Sequence, residues 1–195
     1  MRRFEPVAEP FRRHDEVRLP LRATARSVGY DFFAPEDVVI PPMGMAMIWT
    51  DVKACFGADE ALLINVRSSM GAQPVMLANT QGWIESDYYS NPQNDGNIGI
   101  RLFNLGAEPY RIAQGQRIAQ GMFVKYLTAD NCNSDGVRTG GLGSTGKSSA
   151  QCGMITGRER RRKPALPLWR VGGSGGGRGR GSAAVCGAPA PICQR

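Results

Sequence analysis

The chain has 195 residues and a formal net charge of +7 at neutral pH, which suits one ordinary domain and a tail. That charge is unevenly placed: residues 1–146 carry 14 Lys and Arg against 16 Asp and Glu, whereas residues 147–195 carry 10 basic residues against one acid, Glu159. The basic character therefore belongs to the C-terminal quarter, and the chain as a whole is not expected to be a basic nucleic-acid-binding domain. From the N-terminus, Arg2, Arg3, Arg12 and Arg13 alternate with Glu5, Glu9, Asp15 and Glu16 around no apolar stretch, a pattern unlike a secretory or mitochondrial presequence. Short apolar and β-branched runs follow at residues 17–21, 38–40, 43–49, 62–66, 98–105 and 118–126. Turn residues separate them: Pro41-Pro42, Gly57, Gly71, Pro74, Gly82, Asn91-Pro92, Asp95-Gly96, Gly106, Pro109 and Gly115. Strands of this length and spacing predict an all-β sandwich or barrel over residues 1–129, with at most one short helix.

No apolar run is long enough to span a bilayer. The five cysteines show no CxxC spacing, and His14 is the one histidine. A structural zinc site, a disulfide framework or a histidine-based nucleophile is therefore not expected, and a reducing cytoplasm fits this cysteine usage.

Composition changes near Asp130. Residues 130–147 are Gly-rich and polar, and residues 148–195 are rich in Gly, Arg and Pro. The second segment lacks the apolar area to offset its ordering entropy and is expected to be a disordered basic tail, with weak nucleic-acid binding as its functional alternative. Gly141-Leu142-Gly143-Ser144-Thr145-Gly146-Lys147-Ser148 matches the spacing of a phosphate-binding P-loop. Such a loop needs a strand before it and a helix after it. The flanking residues here, polar before and Gly- and Ser-containing after, predict neither, so a P-loop nucleotidase is not the reading. An Arg138-led glycine segment still suits phosphate through backbone N–H groups and a guanidinium.

Five blocks carry chemistry suited to a nucleoside triphosphate. They are Gly29-Tyr30-Asp31-Phe32-Phe33-Ala34; Arg67-Ser68-Ser69-Met70-Gly71; Asn79-Thr80-Gln81-Gly82-Trp83-Ile84-Glu85-Ser86-Asp87-Tyr88; Gly115-Gln116-Arg117-Ile118-Ala119-Gln120; and Arg138 through Gly146. In type, order and spacing they resemble the five motifs of the trimeric dUTP pyrophosphatase (dUTPase) family, over roughly residues 20–146.

The resemblance implies a jelly-roll-like subunit in a homotrimer, each active site drawing on all three chains. Residues 130–147 would form an arm that closes over a neighbour's nucleotide. The implied reaction is hydrolysis of dUTP to dUMP and pyrophosphate with Mg²⁺ bound to the triphosphate, which limits uracil in DNA and supplies dUMP. Asn79, offering a donor and an acceptor, would read uracil together with backbone groups around Gly82, Ile84 and Gly99. Tyr88 would lie under the deoxyribose and leave no room for a 2′-hydroxyl. Arg67, Ser68, Ser69 and Gln120 would bind phosphate oxygens. Arg138, Gly143, Ser144 and Thr145 would clamp the γ-phosphate, and Asp31 would hold Mg²⁺ through water.

Two departures stand out. Glu85 occupies the place of the family's water-activating Asp and is longer by about 1.5 Å, while residues 89–97 form a longer hairpin than usual, which allows the backbone to compensate. Leu142 stands where the family commonly stacks a Phe on uracil, so weaker base affinity is expected. Two other readings stay open. A dCTP deaminase needs a carboxylate on the strand after the hairpin, and Ile98-Gly99-Ile100-Arg101-Leu102-Phe103-Asn104-Leu105 has none. A catalytically weak dUTP-binding interaction protein would keep the site but not the turnover.

Overall fold

Eleven strands form where apolar residues alternate between turns, in a computed structural model that describes residues 1–132, 136, 138, 140 and 141. In chain order they are β1 (Arg3–Pro6), β2 (Tyr30–Phe33), β3 (Val38–Ile40), β4 (Met45–Trp49), β5 (Val52–Cys55), β6 (Glu60–Asn65), β7 (Val75–Leu77), β8 (Gly82–Glu85), β9 (Gly99–Asn104), β10 (Tyr110–Ile112) and β11 (Arg117–Lys125). The helical elements among the described residues are three 3₁₀ turns, Glu9–Phe11, Ser68–Ala72 and Ser86–Tyr88. None is long and apolar enough to cross a membrane. The all-β expectation holds.

Every ladder is antiparallel. A four-stranded sheet runs β2-β11-β6-β8 and a three-stranded sheet runs β4-β9-β7, with the pairs β1-β5 and β10-β3 beside them. The period of two decides which side chains meet. Along β9, Ile100, Leu102 and Asn104 point inward while Arg101 is exposed. Phe32, Leu62, Ile64, Ile118 and Ala119 supply the inner face of the four-stranded sheet. Burying each Ile, Leu or Phe is worth about 1.5–3 kcal/mol. Phe4 brings β1 onto this core, its ring 5.7 Å from Phe32 and 5.4 Å from Phe123. The fully buried Asn104 is satisfied by its surroundings: it donates to the carbonyls of Ile40, Pro41 and Glu108 and accepts from the Gly106 N–H.

One expected strand is absent. Residues 17–21 join no sheet and make a single bridge, Leu21 opposite Asp31. Pro20 has no N–H to give a ladder, and the segment instead lays Arg18 over the Phe33 ring at 3.6 Å, outside β2. Conversely β1, β2, β5, β7, β8 and β10, each of three or four residues, were not expected as strands.

Candidate active site

A polar row crosses the four-stranded sheet. Asp31 on β2 faces Gln120 on β11, which faces Asn65 on β6; the Gln81 amide then donates to Asn65 Oδ1 at 3.0 Å. Asp31 is the charged member, its side chain only 8% exposed. Arg67 Nε donates to its Oδ1 at 2.8 Å and Arg117 Nη1 to its Oδ2 at 3.2 Å. One buried carboxylate between two guanidiniums leaves a net positive cluster, suited to an anion. The Arg67 and Arg117 side chains also line an open cavity of about 510 Å³, with Ser69, Gln73 and Gln116 on its wall. Ser68 and Ser69 sit exposed on the 3₁₀ turn that follows. Gln120 reaches the Val66 carbonyl at 3.4 Å. It lies so close to Gly29 that a Cβ there would come within 2.8 Å of its Oε1. Of the expected phosphate and metal residues, Asp31, Arg67, Ser68, Ser69 and Gln120 thus fall around one face.

A second cavity, of about 430 Å³, opens at β8. β8 pairs with β6 alone, so its other edge has no strand partner among the described residues. Asn79, Gly82, Ile84 and Gly99 line this cavity together, with Trp83, Met45 and Met47. Asn79 is presented by a tight turn in which the Gln81 N–H returns to the Asn79 carbonyl at 2.7 Å and Thr80 has φ 62°. The four residues expected to read the base are therefore brought together.

Tyr88 follows on the 3₁₀ turn after β8 and is buried. Its hydroxyl donates to the Asn97 carbonyl at 2.8 Å and accepts from Asn94 Nδ2 at 2.7 Å. Burial pushes the phenol up in pKa, and the Asn94 hydrogen bond opposes this. The hydroxyl is thus committed inside the protein. Glu85 ends β8 with its side chain 57% exposed. Arg138 lies against the same turn, donating from Nη2 to Glu85 at 3.0 Å and from Nε to Asp87 at 2.9 Å. Gly141 N–H donates to Gln93 Oε1 at 2.6 Å. Arg138, expected to serve a neighbour's site, here lies on the carboxylates of its own chain. Leu142, Gly143, Ser144 and Thr145, the P-loop-like match beyond Gly141 and the basic tail lie outside the described residues.

The structure does not bring Asp31 and Glu85 together within one chain. Glu85 faces Ala61, four residues along β6 from Asn65, which is about 13 Å. Three strand spacings separate β2 from β8, adding about 14 Å across the sheet, so the two carboxylates stand roughly 20 Å apart.

Arg117 was not among the expected site residues. Three positions from Gln120, it belongs on the opposite face of a regular strand, but a bulge between Arg117 and Ala119 turns it onto the side of Asp31. Its only signal in the sequence is its place inside the fourth block. Asn94, Asn97 and Asp51, which hold Tyr88 and its surroundings, were also not expected.

Comparison with known proteins identifies the family. Residues 15–146 match the family model described as dUTPase, and this segment holds all five blocks. The deoxyuridine 5'-triphosphate nucleotidohydrolase of Lactococcus lactis is 38% identical over 133 residues, covering 67% of this chain and 89% of that protein. The crystal structure of dUTPase from Streptococcus mutans superposes with a TM-score of 0.59 at 34% identity, covering 65% of this chain and 98% of that one. The D95N mutant of the dUTPase from phage phi11 of S. aureus, whose structure shows the coordination of a structural Mg(II) ion, shares the fold with a TM-score of 0.55 at 21% identity, covering 70% of this chain and 97% of that one. The chain belongs to the dUTPase family.

Proposed function

We propose that this chain hydrolyses dUTP to dUMP and pyrophosphate at a site shared between copies of itself, with Glu85 as the base that activates water. The observation that carries the proposal is the cavity at β8, which gathers Asn79, Gly82, Ile84 and Gly99, with Glu85 at the end of the same strand and Tyr88 on the turn that follows it. A pyrimidine there meets the Asn79 side chain and strand backbone, which together present donors and acceptors in a fixed array. The sugar that follows abuts the Tyr88 ring.

The triphosphate needs cations, and the Asp31–Arg67–Arg117 cluster with Ser68, Ser69 and Gln120 supplies them. That cluster lies roughly 20 Å from Glu85 in one chain. A dUTP molecule reaches both halves only if they come from different chains, and a homotrimer provides this. Arg138 and the remainder of the glycine-rich arm would then close a site and clamp the γ-phosphate.

Both Asp31 oxygens accept from guanidiniums, yet each keeps a lone pair for water. Among the described residues no cluster of three or more acids, histidines or cysteines forms a cage. These residues fit Mg²⁺ held through its own waters at Asp31 and directly by the triphosphate, where it would neutralise developing charge. Glu85 takes a proton from the attacking water as its oxygen bonds to the α-phosphorus. The bond from that phosphorus to the bridging oxygen breaks, and pyrophosphate leaves. A base positioned in this way contributes about 10²–10⁴-fold.

The test is pyrophosphate release from dUTP with Mg²⁺, alongside dTTP, dCTP and UTP, for the full chain and for a chain ending at Lys147. dUTP-selective release by both forms is expected. Tight dUTP binding without release would leave a nucleotide-binding protein instead, and deamination of dCTP would move the activity to another class.

A further inference from the structure

Tyr88 is held by a chain of buried hydrogen bonds that reaches the N-terminal segment. Asn97, 1% exposed, accepts the phenol O–H on its carbonyl and pairs reciprocally with Asp51. The Asn97 amide donates to Asp51 Oδ1 at 2.7 Å, and the Asp51 N–H donates to Asn97 Oδ1 at 3.0 Å. Asp51 has no exposed surface and a φ of 55°. Its other oxygen accepts the N–H groups of Arg13 and His14, at 2.8 and 2.9 Å, and contacts His14 Nδ1 at 2.8 Å. Asn94, in the long hairpin, closes the cluster: its amide donates to the Tyr88 hydroxyl at 2.7 Å and reaches the same Asn97 carbonyl at 3.5 Å.

Discrimination by shape requires a wall that does not give way. A tyrosine excludes a hydroxyl only if its ring resists displacement, since a small shift would open room for one more oxygen. Here any movement of the ring breaks two hydrogen bonds to partners that are themselves hydrogen-bonded, one of them, to the Asn97 carbonyl, fully buried. Because the hydroxyl is occupied, the substrate meets the ring and not the O–H.

We propose that Asp51, Asn97 and Asn94 are positioning residues for sugar selectivity: by holding the Tyr88 hydroxyl with two hydrogen bonds they lock the ring where it blocks a 2′-hydroxyl. The N-terminal residues Arg13 and His14 thereby become part of the specificity apparatus through Asp51. The inference rests on the reading that the deoxyribose abuts Tyr88.

The experiment measures kcat and KM for dUTP and for UTP in the full chain and in Asn94→Ala, Asp51→Asn, Tyr88→Phe and Tyr88→Ala. Asn94→Ala removes one tether and alters no residue placed against substrate. It should leave kcat for dUTP within about twofold and raise kcat/KM for UTP at least tenfold, the gain lying in KM. Asp51→Asn should shift the ratio in the same direction, and Tyr88→Phe, which keeps the ring and loses both tethers, should do so most strongly. A purely structural defect lowers both substrates together and leaves the ratio unchanged. If Tyr88→Ala relaxes selectivity while Asn94→Ala and Tyr88→Phe keep the wild-type ratio, the tethering proposal is overturned and the sugar assignment stands. If Tyr88→Ala also keeps the ratio, the assignment of the sugar to Tyr88 fails and takes the proposal with it. Should Asp51→Asn not fold, the Asn94 and Tyr88 variants decide the matter alone.

Discussion

Thr80 has a backbone angle that β-branched residues rarely adopt, φ 62°, in the turn that presents Asn79 to the cavity at β8. Strain of this kind costs on the order of 1–3 kcal/mol and persists where the surroundings enforce it. Thr80→Gly removes the penalty, offset by about 0.5–1 kcal/mol for the freer unfolded chain. A net stabilisation of roughly 1 kcal/mol is expected from these two terms, together with a higher KM for dUTP as Asn79 loosens. Denaturant midpoints and initial rates check the two halves separately; a KM that stays at the wild-type value would mean that Asn79 is not held by this turn. At Glu85 the expectation is sharper. Glu85→Gln keeps the size of the side chain and removes the proton acceptor, so kcat should fall by about 10²–10⁴-fold while dUTP affinity, read by calorimetry, stays near wild type. Retained turnover would shift the role to Asp87, which shares Arg138 with Glu85.

The long hairpin of residues 89–97 is an element with its own anchors. Gly96 has φ 81°, and a Cβ there would come within 2.8 Å of the Tyr88 carbonyl oxygen, so Gly96→Ala strains the loop at backbone that cannot retreat. Next to it, burial alone would raise the Asp95 pKa. The Lys53 ammonium at 2.8 Å and the Ala8 N–H at 2.7 Å outweigh burial and hold the carboxyl below its usual range. A carboxyl depressed in the folded state stabilises the fold above its unfolded pKa, about 3.9. That contribution is lost as pH falls through this value toward the folded pKa. The wild type should therefore out-melt Asp95→Asn at pH 6, and the difference should shrink steadily below about pH 4; a difference independent of pH would show that Asp95 acts through shape alone. The sequence displayed the long elements of this fold well. β6, β9 and β11 each have six or more residues with an inward apolar set, and period two is readable over that length. Over three or four residues only an unbroken apolar run such as Val38–Ile40 stands out, and β8, the strand that forms the base cavity, has none and is legible only as part of a motif. Residues 17–21 showed the opposite fault, an apolar pattern with Pro20 inside it and Leu21 left 58% exposed. The site followed the same rule. Residues within one block were recognisable, whereas Asp51 and Asn97 meet across 46 positions of sequence, and no local pattern announces such a pairing.

At the scale of the whole molecule, the separation of Asp31 from Glu85 across the sheet makes a prediction about assembly. If one dUTP takes the cationic cluster of one chain and the β8 cavity of another, Asp31→Asn and Glu85→Gln damage different halves of every shared site. Each homo-oligomer should be nearly inactive. In a cyclic trimer containing both variants, whether two of the first and one of the second or the reverse, one of the three interfaces joins two intact halves. Random assembly from equal amounts places about three quarters of the trimers in these mixed classes. The mixture should therefore recover about one quarter of wild-type activity after co-expression or joint refolding. Mixing the finished homo-oligomers without subunit exchange should recover none. A site contained in a single chain predicts no recovery in either protocol, because every chain then carries one lesion. Sizing the active fraction by light scattering ties recovered activity to its oligomer: activity in a trimer peak supports the shared site, and activity in a monomer peak would refute it.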